Sequence, residues 1–167
     1  MLRLGKMADY ALLVTHELVK LDTGRLTTTE ELAQKTHLTI TTVRKLLKYL
    51  VDAQVVKSFR GVKGGYQLAG PAEQISVAQV IAAVDGPIAL TACSRDSASS
   101  DCQVSEHCEL KENWSVINSL ICQALERISL RDMSRQLATA PGCAHDAGDR
   151  EAIVQWPQET EKGRFGR

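Results

Sequence analysis

Between Leu4 and Lys20 the residues Leu4, Ala8, Ala11, Leu12, Thr15, Leu18 and Val19 return every three to four positions. A stripe of that period predicts an amphipathic helix, and Asp9 falls on the side away from it. After the loop that ends at Gly24, Thr28 and Glu31 have the spacing of a capping box, so a short second helix is expected to open there. Thr39 is placed to cap a third helix, in which Val43, Leu46, Leu47 and Leu50 form a row at i, i+3, i+4 and i+7. Its other face carries Thr41, Thr42, Arg44, Lys45 and Lys48.

The pattern then changes period. Val55 to Phe59 is β-prone, residues 60–65 (Arg-Gly-Val-Lys-Gly-Gly) are a glycine turn, and Tyr66-Gln67-Leu68 is a second short strand. Two helices across a tight turn followed by a β-hairpin predict a winged helix-turn-helix, a mainly α fold with a small β wing. In that fold the later helix enters the major groove, which points Thr41, Thr42, Arg44, Lys45 and Lys48 at DNA. Arg60 and Lys63 sit at the wing tip, within reach of phosphate or of the narrow minor groove.

Ser76 to Asp85 reads as one more helix, stopped by Gly86-Pro87. From Glu109 to Ile128, Leu110, Trp114, Ile117, Ile121, Ala124 and Ile128 alternate spacings of four and three, the seam of a coiled coil. Such a seam either packs on its own domain or pairs with a second copy, and its length favours a homodimer. Ser129 to Leu137 has room for a turn or two of helix, and from Ala138 onward periodicity is absent. The expected organisation is a DNA-binding domain over 1–85, a cysteine-bearing loop over 86–108, a dimerisation region over 109–137 and a flexible tail over 138–167.

Charge sharpens the picture. Net charge is zero, but residues 1–70 hold 11 Lys and Arg against 6 Asp and Glu, while the remainder holds 9 against 14. A basic half suits a polyanion, because phosphate contacts dominate nucleic-acid affinity. The longest apolar run near the start, Ala11 to Val14, is far short of the roughly 20 residues that cross a bilayer, so no membrane partner and a cytoplasmic location are expected. No phosphate-binding glycine loop, nucleophile motif or paired-acid site is present, and no enzyme is expected.

Of the five cysteines, Cys93, Cys102 and Cys108 fall within 16 residues, in a stretch poor in hydrophobes. In a cytosolic protein disulfides are disfavoured, and such a triad reads as thiolate ligands of zinc or an iron-sulfur cluster, or as redox thiols. Cys122 falls near the apolar face of the long helix and reads as a small core residue. Cys143 has no readable role. His107 is a further candidate ligand, crowded by its neighbour Cys108, whereas His16 and His37 read as ordinary histidines.

Four stretches now resemble the bacterial Rrf-two family of winged-helix regulators. They are residues 7–11 (Met-Ala-Asp-Tyr-Ala), the wing 60–68, Ile75-Ser76-Val77 through Val84, and the three cysteines before the long helix. Together they cover about residues 1–137. Ile88 to Thr91 and Lys111 to Trp114 are most similar to the members that regulate the SUF cluster-assembly system. The resemblance implies a homodimer on a palindromic operator, with an iron-sulfur cluster (2Fe-2S or 4Fe-4S) on Cys93, Cys102 and Cys108 of each subunit. In nitric-oxide-sensing members an aspartate of the partner's first helix completes the ligand set, and that match lands on Asp9. The histidine-ligated members carry their histidine where this chain has Lys111. Eight residues separate Cys93 from Cys102, against about five in the family, so the loop is longer here, at little entropic cost. Two rivals stay open: a cluster-free thiol-redox or zinc switch on the same fold, and a winged-helix adaptor that touches no DNA.

Overall fold

The computed structural model describes residues 4–21, 25–61, 63–91 and 107–135. In chain order they form α1 (Lys6–Val19), α2 (Thr29–Thr36), α3 (Ile40–Asp52), β1 (Val56–Phe59), β2 (Gly65–Leu68), α4 (Val77–Asp85), α5 (Lys111–Glu126) and α6 (Leu130–Ser134). All lie in one compact unit, Met1–Gln136. This is the expected mainly helical winged fold.

Four of these helices start on a hydroxyl. Thr28, Thr39, Ser76 and Ser129 each accept a hydrogen bond from the amide three residues on, satisfying a donor that has no partner inside the helix. The Thr28–Glu31 box forms as its spacing predicts, and Ser76–Gln79 and Ser129–Asp132 form two more. Between α2 and α3 the chain turns on His37, which caps α2 in the left-handed region at φ 56°. Leu38 follows, and the Thr39 cap then fixes the first turn of α3.

Apolar burial holds these helices together. Val43, Leu46, Leu47 and Leu50 of α3 are all fully buried, as their spacing requires, and pack with Ala11, Val14 and Leu18 of α1 and Leu32 of α2. Each fully buried aliphatic side chain contributes about 1.5–3 kcal/mol of transfer free energy. Leu4 precedes α1 and is exposed. The wing strands pair antiparallel with Val56 opposite Leu68 and Phe59 opposite Gly65. Thr27 bridges to Tyr66 from the far side, with Tyr66 N–H donating to Thr27 O at 2.8 Å. Gly65 permits this approach, since a Cβ there would stand 2.7 Å from the Thr27 carbonyl oxygen.

The long C-terminal helix ends earlier than its heptads suggest. α5 stops at Glu126, and Ser129 caps a separate short helix whose Leu130 enters the main core. A bridge between Ser76 and Ser129 fixes that junction: Val77 N–H donates to Ile128 O and Leu130 N–H to Ile75 O, both at 2.8 Å. Beside it Ala8, Val77 and Ile81 form a second cluster, against which Leu125, Ile128, Leu12 and Ile88 pack. No described helix is long and apolar enough to cross a membrane.

Candidate nucleic-acid interface and metal centre

The amphipathic split of α3 sets its outer face. With the leucine row fully buried, Thr41, Arg44, Lys45 and Lys48 are exposed. Thr42 is half-buried and its hydroxyl lies 2.8 Å from that of Thr39, so it serves the helix cap first. Lys45 Nζ stands 5.9 Å from the centroid of the Tyr49 ring, a cation–π contact that steadies the lysine on the helix surface. On the wing, Arg60 and Lys63 are both exposed on either side of a turn closed by Gly64 N–H donating to Gly61 O. Gly61 takes that turn at φ +113°, a conformation that favours glycine.

These cations are unneutralised. The ion pairs among the described residues are Lys20–Glu17 and Arg131–Glu73, neither of them on α3 or the wing. Lys and Arg side chains left without counterions on one helix face and one hairpin are suited to the phosphates of a duplex.

The cysteine triad is only partly visible, because Cys93 and Cys102 lie outside the described residues, as do Cys143 and the tail from 138. Cys108 is half-buried in the turn before α5, where its carbonyl accepts from Lys111 N–H at 3.3 Å. His107 beside it is exposed. Asp9 is exposed on α1, on the rim of a shallow groove of about 280 Å³ lined by Leu12, Leu13, His16, Leu130 and Met133. Among the described residues no three metal-ligating side chains gather into one group.

Asn118, which the apolar period of the sequence hides, connects the triad's surroundings to α5. Its Oδ1 accepts from Leu90 N–H at 3.0 Å and its Nδ2 donates to Ile88 O at 3.1 Å. Cys122, one turn on, is half-buried rather than fully packed, and its thiol lies 3.8 Å from the same Ile88 carbonyl. The strand of chain leading towards Cys93 is thereby held on the helix that Cys108 precedes.

α5 also divides the expected seam. Leu110, Trp114 and Ile117 are exposed, and Val116 and Leu120, each 60% exposed, widen the same apolar surface. Ile121 is half-buried, Ala124 is exposed, and Ile128 departs from the seam. Ile128 packs on its own chain beside Ala8 and Val77, because the Ser76–Ser129 bridge draws the end of the helix inward.

Comparison with known proteins gives this architecture a family. The Rrf2 family, described as iron-dependent transcriptional regulators, matches residues 4–136. The chain belongs to the Rrf2 family. One relative, from Haemophilus influenzae and bearing the name of an HTH-type transcriptional regulator, is 33% identical over 103 residues, spanning 62% of this chain and 67% of its own. The regulator IscR of Vibrio campbellii is 30% identical over 105 residues, 63% of this chain and 61% of that protein. Among solved structures, CymR, the global cysteine regulator of B. subtilis, superposes with a TM-score of 0.62 at 27% identity, covering 80% of this chain and 97% of CymR. This Rrf2 protein is therefore a DNA-binding winged-helix transcriptional regulator and not an enzyme.

Proposed function

We propose that this chain is a cytoplasmic, homodimeric regulator whose grip on a palindromic operator is set by an iron-sulfur cluster, and that its targets are cluster-assembly genes of the SUF type. The observation that carries the reading is the placement of the two residues that flank the cysteine segment: Leu90 before it is clamped by Asn118 of α5, and Cys108 leads directly into α5. Cys93, Cys102 and Cys108 would be the thiolate ligands, with Asp9 of the partner subunit as the fourth. The fit is one of donor chemistry: soft thiolates suit an iron-sulfur centre, and the Asp9 carboxylate has no hydrogen-bond or ion-pair partner among the described residues. When bound, a cluster supplies thiolate–iron bonds whose loss to oxidant, nitric oxide or iron shortage converts a chemical signal into a conformational one.

The chain's own residues carry that signal onward. Asn118 ties Ile88 and Leu90 to α5, and Ile88 packs with Ala8 of α1 and Val77 of α4. Order in the cysteine segment thus bears on the helix that carries the seam and on the helices behind α3. Two reading heads about 34 Å apart, one DNA turn, then fit or miss the two half-sites. Thr41, Arg44, Lys45 and Lys48, with Thr42 at the cap, would contact the major groove, and Arg60 and Lys63 the wing's phosphates or minor groove.

Similarity to CymR favours one second reading, a cluster-free thiol switch on the same fold. Anaerobic isolation followed by visible and Mössbauer spectroscopy, with iron and sulfide analysis, separates the two. A cluster chromophore that Cys102→Ala abolishes is the expected result. Colourless, iron-free protein that resists reconstitution and still binds its operator normally would leave the thiol switch standing instead.

A further inference from the structure

All but one of the large apolar side chains that the described residues leave exposed lie away from α3. Five line α5, Leu13 and Met133 border the groove between α1 and α6, Leu4 precedes α1, and Phe59 flanks the wing turn. The remaining one is Ile40, 44% exposed at the first residue of α3.

Its position is fixed rather than accidental. The Thr39 hydroxyl accepts from Thr42 N–H at 3.3 Å, which locks the first turn, and the left-handed His37 fixes the angle at which the chain enters it. One turn on, at i+4, stands Arg44, so the two side chains share a flank of the helix. That flank borders the face bearing Thr41, Arg44, Lys45 and Lys48. The isoleucine there stays outside the buried core cluster and leaves nearly half of its surface to solvent.

We infer that Ile40 is a specificity-determining residue that packs on the 5-methyl group of a thymine in the operator's major groove. A recognition helix of the helix-turn-helix class presents its N-terminal residues to base edges, and Ile40 is the first of them. In the major groove the thymine methyl is the apolar feature that distinguishes one base pair from the others. Cationic neighbours bind phosphate or guanine, and none of them rewards that methyl. This inference rests on the assignment of α3 as the reading helix, and the experiment below tests the two separately.

The wild-type protein selects an operator from a random duplex pool, and each thymine of that operator is replaced in turn by uracil, which removes the methyl and keeps the base pair. Wild-type binding is expected to weaken about fourfold at one thymine per half-site, the worth of one buried methyl. Ile40→Ala is expected to bind the thymine operator more weakly than wild type and to be indifferent to uracil at that position. Its circular dichroism and melting temperature should match wild type, because the side chain is exposed. Uracil tolerated at every position by the wild type, or an equal uracil penalty in Ile40→Ala, overturns the inference. Binding of the operator by Arg44→Ala with wild-type affinity would remove α3 from the groove altogether, and the reading-helix assignment would fall together with Ile40.

Discussion

At the scale of single residues, the start of α2 is a short chain of hydrogen bonds with a pH signature. The buried Thr27 hydroxyl donates to Glu31 Oε2 at 2.8 Å, and Thr28 N–H donates to the same oxygen at 3.4 Å. These two contacts, Thr27 first, hold the Glu31 carboxyl below the usual glutamate range, with the nearby Arg25 and Lys35 charges helping. A group whose native value is depressed contributes stability that is complete above its unfolded value and lost as pH falls through the native one. The capping box should therefore hold at neutral pH and let go only in acid. A carbon-13 NMR titration of the Glu31 carboxyl is expected to show a midpoint below the ordinary 4.5. Thr27→Val should return it upward. An unchanged midpoint in that variant would mean that the Thr27 hydroxyl is not the cause.

Whole elements were legible to different depths. α2, α3 and the wing follow closely from local signals, since Thr28, Thr39, the buried leucine row and the glycines of the turn each act within a few residues. The sequence also marks an apolar stripe on α5, but a period of 3.5 says only that something covers the stripe. Which part faces its own chain is decided by contacts far along the sequence, the Ser76–Ser129 bridge and the Asn118 clamp, and these explain why Ile128 turned inward while Val116 and Leu120 stayed out. Asn118 is invisible to pattern reading because one of three side-chain amides on α5, with Asn113 and Gln123, looks like a solvated position. Its two hydrogen bonds are nonetheless what holds the entrance of the cysteine segment. Asn118→Ala leaves Leu90 N–H and Ile88 O without these partners, a cost of about 1–3 kcal/mol for fully buried groups and less for these half-buried ones. Hydrogen exchange should report it as faster exchange at the Leu90 amide with little change in the α3 core. Protection at Leu90 equal to wild type would show that the clamp does not hold the segment.

On the scale of the whole molecule, charge and exposed apolar surface are divided between the two halves of the chain. Residues 1–70 carry the basic excess, and the unneutralised cations of α3 and the wing belong to it. The apolar surface of Leu110, Trp114, Val116, Ile117 and Leu120 belongs to the acidic remainder, and in the proposed homodimer a second copy would cover it. A monomer leaving five large apolar side chains of one helix in water forgoes their transfer free energy, and a symmetric partner recovers it on both copies at once. Leu120 is the place to test this, because its 60% exposure means that the chain's own fold makes little use of it. In Leu120→Asp each copy would have to bury an unpaired carboxylate at the seam, a cost of several kcal/mol. That is enough to raise the dimer dissociation constant by more than about a hundredfold. Sedimentation should then show a folded monomer with wild-type helix content. Binding to a palindrome should fall to the level of a single half-site, while binding to an isolated half-site stays unchanged. If Leu120→Asp still sediments as a dimer, the α5 stripe is not the seam, and the two reading heads must be joined through some other surface.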